Sequence, residues 1–133
     1  MQKDIRFIQR YTHFTQAFAK LREVVLIPEL NEIEQNGMVQ RFEFTLELAW
    51  KTMRDFLTEE GFIVWSPKET MRQAFASGYI DDAQVWMDMI DLRNAFSHDY
   101  DGTLFDERES FLRKDTFLAI EQTIQFFSSK IWK

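Results

Sequence analysis

Apolar side chains recur along this chain at steps of three and four, a spacing that predicts helix nearly throughout. Phe7, Tyr11, Phe14, Phe18, Leu21 and Val25 form the first seam, on a helix over about residues 3 to 25. Pro28 and Asn31 mark a connection. Phe42, Leu46, Ala49, Met53 and Phe56 form the second seam, over about residues 34 to 60, with Gly61 as its stop. The stretch "RFEFTLEL" inside it alternates apolar and polar, which by itself is a strand signal. The helical seam that continues through Phe56 decides for helix, and places Phe44 and Leu48 on a second face that is expected to be buried as well. "SPKE" reads as a capping box: Ser66 caps, Pro67 fits the first turn and Glu69 reaches back. The short third helix it starts runs to about Ser77 and stops at Gly78. Asp81 or Asp82 caps a fourth helix through about His98, and Asp101-Gly102 breaks the chain. A last helix runs from about Phe105, with Leu112, Ala119, Ile120, Ile124, Phe127 and Ile131 inward. Long helices on short connections predict an all-α, antiparallel bundle of four long helices plus one short helix.

A length of 133 residues suits one domain, 1–133, with a core that needs no staples. There is no linker, repeat or low-complexity tract. The absence of cysteine excludes disulfides and thiolate metal sites. The charged opening "MQKDIRFIQR" does not read as a secretory signal, and no apolar run approaches the roughly 20 residues that span a membrane. A cytoplasmic protein without membrane attachment is the expectation. Two features alter this plain picture. The 14 Phe and 4 Trp exceed what one small core easily absorbs, so some are expected to cover a partner or a dimer seam. The net charge of −6 supplies no global field for nucleic acid, so any phosphate binding must be local.

Candidate chemistry concentrates in "RNAFSHDY", residues 93 to 100. On a helical wheel Val85, Met89, Leu92 and Phe96 form the core stripe of the fourth helix. Trp86, Ile90, Arg93, Ser97 and Tyr100 form the stripe beside it, and Asp91, Asn94 and His98 a third. Arg93 is thus expected to be partly buried, where a guanidinium needs an anion or a set of acceptors. Asn94 precedes His98 by one turn and is placed to orient its imidazole. Arg93 and His98 differ by about 140° on an ideal helix, so they converge only if the helix ends near His98 or a second copy completes the site. The plainer alternative pairs Arg93 with Asp91 or Glu107 and leaves His98 at a fraying end. Asp88, Asp91, Asp99 and Asp101 surround the octet, either as a solvated face and cap or as a docking surface for a basic partner. Lys68 and Arg72 at a capped helix start form a candidate anion site. His13, on a separate helix, reads as core or solvated, and no metal site or cofactor is expected. Gly37, Gly61, Gly78 and Gly102 all read as helix breaks and none heads the Gly-Ser turn that a nucleotidyltransferase needs, so that activity is excluded.

"RNAFSHDY" resembles the R-x4-H-x-Y form of the HEPN superfamily signature. "RFEFTLELAWKTMRDFL", "SPKETMRQAF" and "DLRNAFSHDYD" resemble, in this order, segments of its nucleotidyltransferase substrate-binding family, over most of residues 38 to 103. The resemblance implies a HEPN-like homodimer and a separately encoded minimal nucleotidyltransferase as partner. It implies a metal-independent ribonuclease toxin with Arg93 and His98 as the catalytic pair and Asn94 as the supporting polar residue. Tyr100 matches the tyrosine that the partner adenylylates to silence the toxin. The chemistry suits the residues: a histidine moves protons near neutrality, and an arginine fork matches phosphate oxygens. The main alternative is a non-catalytic subunit that presents a nucleotide or other substrate to the nucleotidyltransferase; a third is a helical dimer in which the motif only staples the interface.

Overall fold

The seam of phenylalanines that opens the chain becomes α1, Ile5–Val25, in the computed structural model, which describes residues 5–131. Phe7, Tyr11, Phe14, Phe18 and Leu21 are buried as the spacing requires, and the last inward position is Val24 rather than Val25. Beyond a short connection α2, Glu32–Glu59, begins at a full capping box: the Asn31 side chain accepts the Glu34 amide while the Glu34 carboxylate accepts the Asn31 amide. A capping residue, and not only a loop, was therefore encoded at Asn31. Gly37 lies inside α2 and breaks nothing, because the cap and the apolar seam on either side of it outweigh the weak helix propensity of one glycine.

The first two helices run antiparallel. Phe7 meets Phe56 and Arg10 pairs with Asp55 at one end, while Arg41 reaches Glu23 and the Lys20 carbonyl at the other. The α2 seam Phe42, Leu46, Ala49, Met53 and Phe56 is buried in full. Its second face behaves otherwise than expected: Leu48 is only half-buried and Phe44 is 56% exposed. Thr45, Trp50, Thr52 and Leu57 widen the buried stripe instead. The threonines can sit there because each hydroxyl donates to the carbonyl one turn back, Thr45 to Arg41 and Thr52 to Leu48.

The short helix α3, Pro67–Ala76, starts at Ser66, whose Oγ accepts the Glu69 amide at 3.2 Å. The return bond falls one residue earlier than a regular capping box: Glu69 accepts the amide of Trp65. Asp82, not Asp81, caps α4, Ala83–Phe96. α4 lies antiparallel to α2, with Phe42 edge-on to Phe96 and Glu47 beside Arg93.

The last helix is a rod in three unbroken parts: α5, Leu104–Ser110, a π-helical segment, Phe111–Thr116, and α6, Phe117–Ile131. Leu112, Ile120 and Phe127 are buried as predicted, while Ala119, Ile124 and Ile131 are half-buried. The π segment is a departure from the single regular helix the periodicity indicates. It adds a residue to one turn and so rotates the inward stripe between its two flanks. Within it the Thr116 hydroxyl is buried with no hydrogen-bond partner among the described residues, although buried Thr123 in the α-helical part donates to Ala119 in the usual way. Arg113 from the same segment crosses to the Val25 carbonyl and to Glu109, tying the rod to the end of α1.

The core is one continuous cluster to which α1, α2, α3, α4 and the rod all contribute. Its aromatic centre is Phe127, which is fully buried and contacts the rings of Phe7, Tyr11, Phe56, Tyr79 and Phe126. Such pairs add about 0.5–1.5 kcal/mol each beyond area burial. Phe127→Ala is expected to destabilise the protein by about 3–5 kcal/mol in urea unfolding, whereas Phe44→Ala should stay within about 0.5 kcal/mol. A Phe44→Ala loss as large as that of Phe127→Ala would show that Phe44 is covered in solution.

Candidate functional site

The motif residues ride on the C-terminal end of α4, which the core fixes in rotation. Trp86, Met89, Ile90 and Leu92 are buried and orient the helix. Arg93, in the last turn, follows at the edge of that buried face with a side chain 40% exposed. The helix ends at Phe96, two residues before the boundary expected from the sequence. Beyond it the backbone tightens: the His98 amide donates to Ala95 and the Asp99 amide to Phe96, each closing a three-residue turn. The Ser97 hydroxyl donates to the Asn94 carbonyl. His98 and Tyr100 therefore leave the helix on a short loop, both exposed, with Tyr100 at 91%.

Arg93 does not pair with Asp91 or Glu107. Its Nη2 lies 3.5 Å from the Glu47 carboxylate, across the seam on α2. Glu47 is itself anchored by Lys51 Nζ at 2.9 Å and by Trp50 Nε1 at 3.1 Å. Partial burial pushes the Glu47 carboxyl up, but the hydrogen bonds from Lys51 and Trp50 and the charges of Lys51 and Arg93 outweigh it and hold the group below the ordinary glutamate range. Trp50 carries a further cation, with the Arg54 guanidinium 4.9 Å above its ring. The sequence held one legible trace of Glu47, the i,i+4 pair it forms with Lys51; its link to Arg93 depends on how α2 and α4 pack.

The acidic residues around the motif have structural occupations. Asp91 takes the Lys68 ammonium at 2.7 Å, which fastens the start of α3 to α4. Lys68 is thus engaged, and of the predicted anion-binding pair only Arg72 stands without a partner among the described residues, beside an open groove of about 430 Å³ lined by Ile63, Val64, Trp65, Glu69 and Gln73. Asp99 accepts the Leu104 amide and so caps α5, a task that the adjacent Thr103 leaves undone. Asp101 accepts both the amide and the hydroxyl of Thr103. The turn between them needs Gly102, whose φ of 75° an L side chain would resist. Asn94 and His98 share no hydrogen bond among those of the described residues. A second cleft, of about 460 Å³, opens beside the loop between Glu32, Gln35 and Asn36 of α2 and Phe96, Asp99 and Asp101. His13 is exposed on α1, away from the motif.

The family model "Nucleotidyltransferase substrate binding protein like" matches residues 9–128. The chain belongs to this family. Its all-helical architecture is accordingly that of the HEPN superfamily. The chain is also similar to "Probable ribonuclease HepT" of Haemophilus influenzae, with 32% identity over 98 residues, 67% of this chain and 66% of that protein. The match thus spans just under two thirds of that relative's length. A crystal structure of a Thermus thermophilus protein superposes with a TM-score of 0.76 at 30% identity, covering 84% of this chain and 96% of that one. None of the helices of the described residues is long and apolar enough to cross a membrane.

The loop that carries His98 and Tyr100 is expected to respond to acid through Asp101. The amide and hydroxyl of Thr103 hold the Asp101 carboxyl below its ordinary range, with a smaller contribution from Asp99. A depressed pKa gives a contribution that is present above the ordinary range, near pH 4, and lost as pH falls through the lowered value. The Thr103 amide should therefore stay protected from hydrogen exchange at neutral pH and lose protection on acidification; Asp101→Ala should show weak protection at both.

Proposed function

We propose that this protein is a metal-independent endoribonuclease of the toxin type, acting in the cytoplasm as a homodimer and silenced by a partner minimal nucleotidyltransferase. The observation that carries the reading is the division of the motif in space: Arg93 is half-buried and held by Glu47, while His98 and Tyr100 stand exposed just past the helix end. A held cation and an exposed imidazole, both at the end of α4, are the two groups that cleavage through the 2′-OH uses.

In that reaction a base removes the 2′-OH proton, and the 2′ oxygen attacks the adjacent phosphorus. The P–O5′ bond breaks, a 2′,3′-cyclic phosphate forms, and an acid returns a proton to the 5′ oxygen. His98 moves the proton, and Arg93 neutralises the charge that builds on the phosphorane oxygens. The chain has one histidine at the motif, so two copies across a dimer supply base and acid together. Asn94 supports this loop through its carbonyl, which accepts the Ser97 hydroxyl. Arg72, and Lys68 once released from Asp91, offer an anion contact for the remainder of the strand.

Tyr100 is the residue through which the partner acts. At 91% exposed it can enter another enzyme's active site, where its phenol oxygen attacks the α-phosphorus of ATP and pyrophosphate leaves. An added AMP beside His98 places a charged phosphodiester where an RNA phosphate must sit, and excludes it by repulsion and bulk. Support comes from the name of the Haemophilus relative, a probable ribonuclease, and from the family description, which speaks of nucleotidyltransferases.

One observation favours the second reading, a subunit that binds a nucleotide for the nucleotidyltransferase. The cleft beside the motif is lined by Glu32, Gln35, Asn36 and Asp99, which suit a ribose or base better than a phosphate.

Purified protein is expected to cut RNA without added metal, and His98→Ala should lower the rate at least about 100-fold with an unchanged melting curve. Equal rates for wild type and variant would exclude the ribonuclease. Incubation with partner and ATP should add AMP mass to the peptide that contains Tyr100, and Tyr100→Phe should show no addition.

A further inference from the structure

Glu47 has no part in the motif, yet it is the residue that Arg93 touches. We propose that Glu47 is the positioning residue of the site: a carboxylate clamp on α2 that presents the Arg93 guanidinium to the scissile phosphate. The proposal rests on the ribonuclease reading for the phosphate and on the geometry for the clamp.

Two donors and one further cation, from two helices, converge on this one carboxylate: Trp50 Nε1 donates at 3.1 Å, Lys51 Nζ lies at 2.9 Å, and Arg93 Nη2 forms an ion pair at 3.5 Å. The first two come from Glu47's own helix, one turn on, and fix the carboxylate before Arg93 arrives. An arginine on a helix terminus otherwise samples many rotamers. Contact through Nη2 restrains that freedom at one corner of the fork and leaves the other N–H groups of Arg93 to face a phosphate.

A carboxylate beside a phosphate site would ordinarily weaken it. Here Lys51 supplies the compensating charge. Glu47, Lys51 and Arg93 together carry one net positive charge at neutral pH. The clamp therefore orients Arg93 without cancelling it. Glu47 touches neither substrate nor reacting atoms, so its effect belongs to the rate of the bound complex rather than to RNA affinity. A misplacement near 1 Å can cost about 100-fold in rate.

The test is a double-mutant cycle on an oligoribonucleotide, with wild type, Glu47→Ala, Glu47→Gln, Arg93→Ala and Glu47→Ala/Arg93→Ala. Glu47→Ala is expected to lower kcat about 10- to 100-fold and change KM less than about 3-fold. Glu47→Gln, which keeps an acceptor oxygen but loses the charge, should retain part of that rate and carries the test if the alanine variant unfolds. Adding Glu47→Ala to Arg93→Ala should cost nothing more, because the clamp acts only through Arg93. An equal loss in both backgrounds, or full activity in Glu47→Ala, overturns the proposal. The ¹⁵N signals of the Arg93 guanidinium read the clamp without catalysis: they should be sharp and split in wild type and merge in Glu47→Ala, and unchanged signals overturn it. Wild-type protein that leaves RNA intact overturns the ribonuclease reading, while the Arg93 signals still decide the clamp.

Discussion

The burial of Phe127 fixes the frame on which everything else is mounted. Its ring meets aromatic neighbours from α1, α2, the connection before α4 and its own helix, so one side chain measures the distance between all of them. Close-packed interiors tolerate little change of volume at such a point. With α1 held against both α2 and α6, the outer flank of α2 is left to receive α4, and Phe42 against Phe96 sets how far along it α4 lies. Only in that register do Glu47 and Arg93 become neighbours. The site is thus a consequence of core packing, although none of its polar members belongs to the core.

The end of α4 separates two environments that one regular helix would not offer together. Arg93 lies on a helix side that faces a neighbour and pairs there with Glu47. His98 and Tyr100 lie on a loop beyond the helix end and are exposed. The transition is abrupt because the chain closes short turns at His98 and Asp99 and then hands its acceptors forward, Asp99 to the first amide of α5 and Asp101 to Thr103. The loop is short but well supplied with hydrogen bonds, which keeps its two exposed side chains near the last turn of α4.

Much of this was legible beforehand, because it depends on local spacing. The seam of α1, the seam of α2 through Phe56, the cap at Ser66, the stop at Gly78 and the break at Asp101-Gly102 all follow from residues within a turn or two of each other. What was not legible depends on relations between distant segments or on competition between similar faces. Phe44 and Leu48 have a spacing that is good enough for burial, yet α1, α3 and α4 cover α2 from other directions. The π segment, Phe111–Thr116, interrupts a stretch whose apolar pattern reads as regular helix. Glu47 was hidden for the same reason: an i,i+4 pair with Lys51 looks like any surface pair, and only the arrival of Arg93 gives it a different meaning. Lys68, which looked free for an anion, was claimed by Asp91 through the packing of α3 on α4.

The charge of the chain also looks different once its partners are known. A net charge of −6, with four aspartates around the motif, argues against any approach by a polyanion if every carboxylate counts equally. They do not count equally. Asp91 is neutralised by Lys68 at contact distance, and its field beyond a few ångströms is that of a dipole. Asp99 and Asp101 accept from the amides of Leu104 and Thr103, at and just before the start of α5. Glu47, the partner of Arg93, is shared with Lys51, and Arg54 lies over the ring of Trp50, which donates to the same carboxylate. Around the end of α4 the carboxylates are thus engaged one by one, Asp91 by an ammonium, Asp99 and Asp101 by donors of the next segment, and Glu47 by Lys51, Trp50 and Arg93.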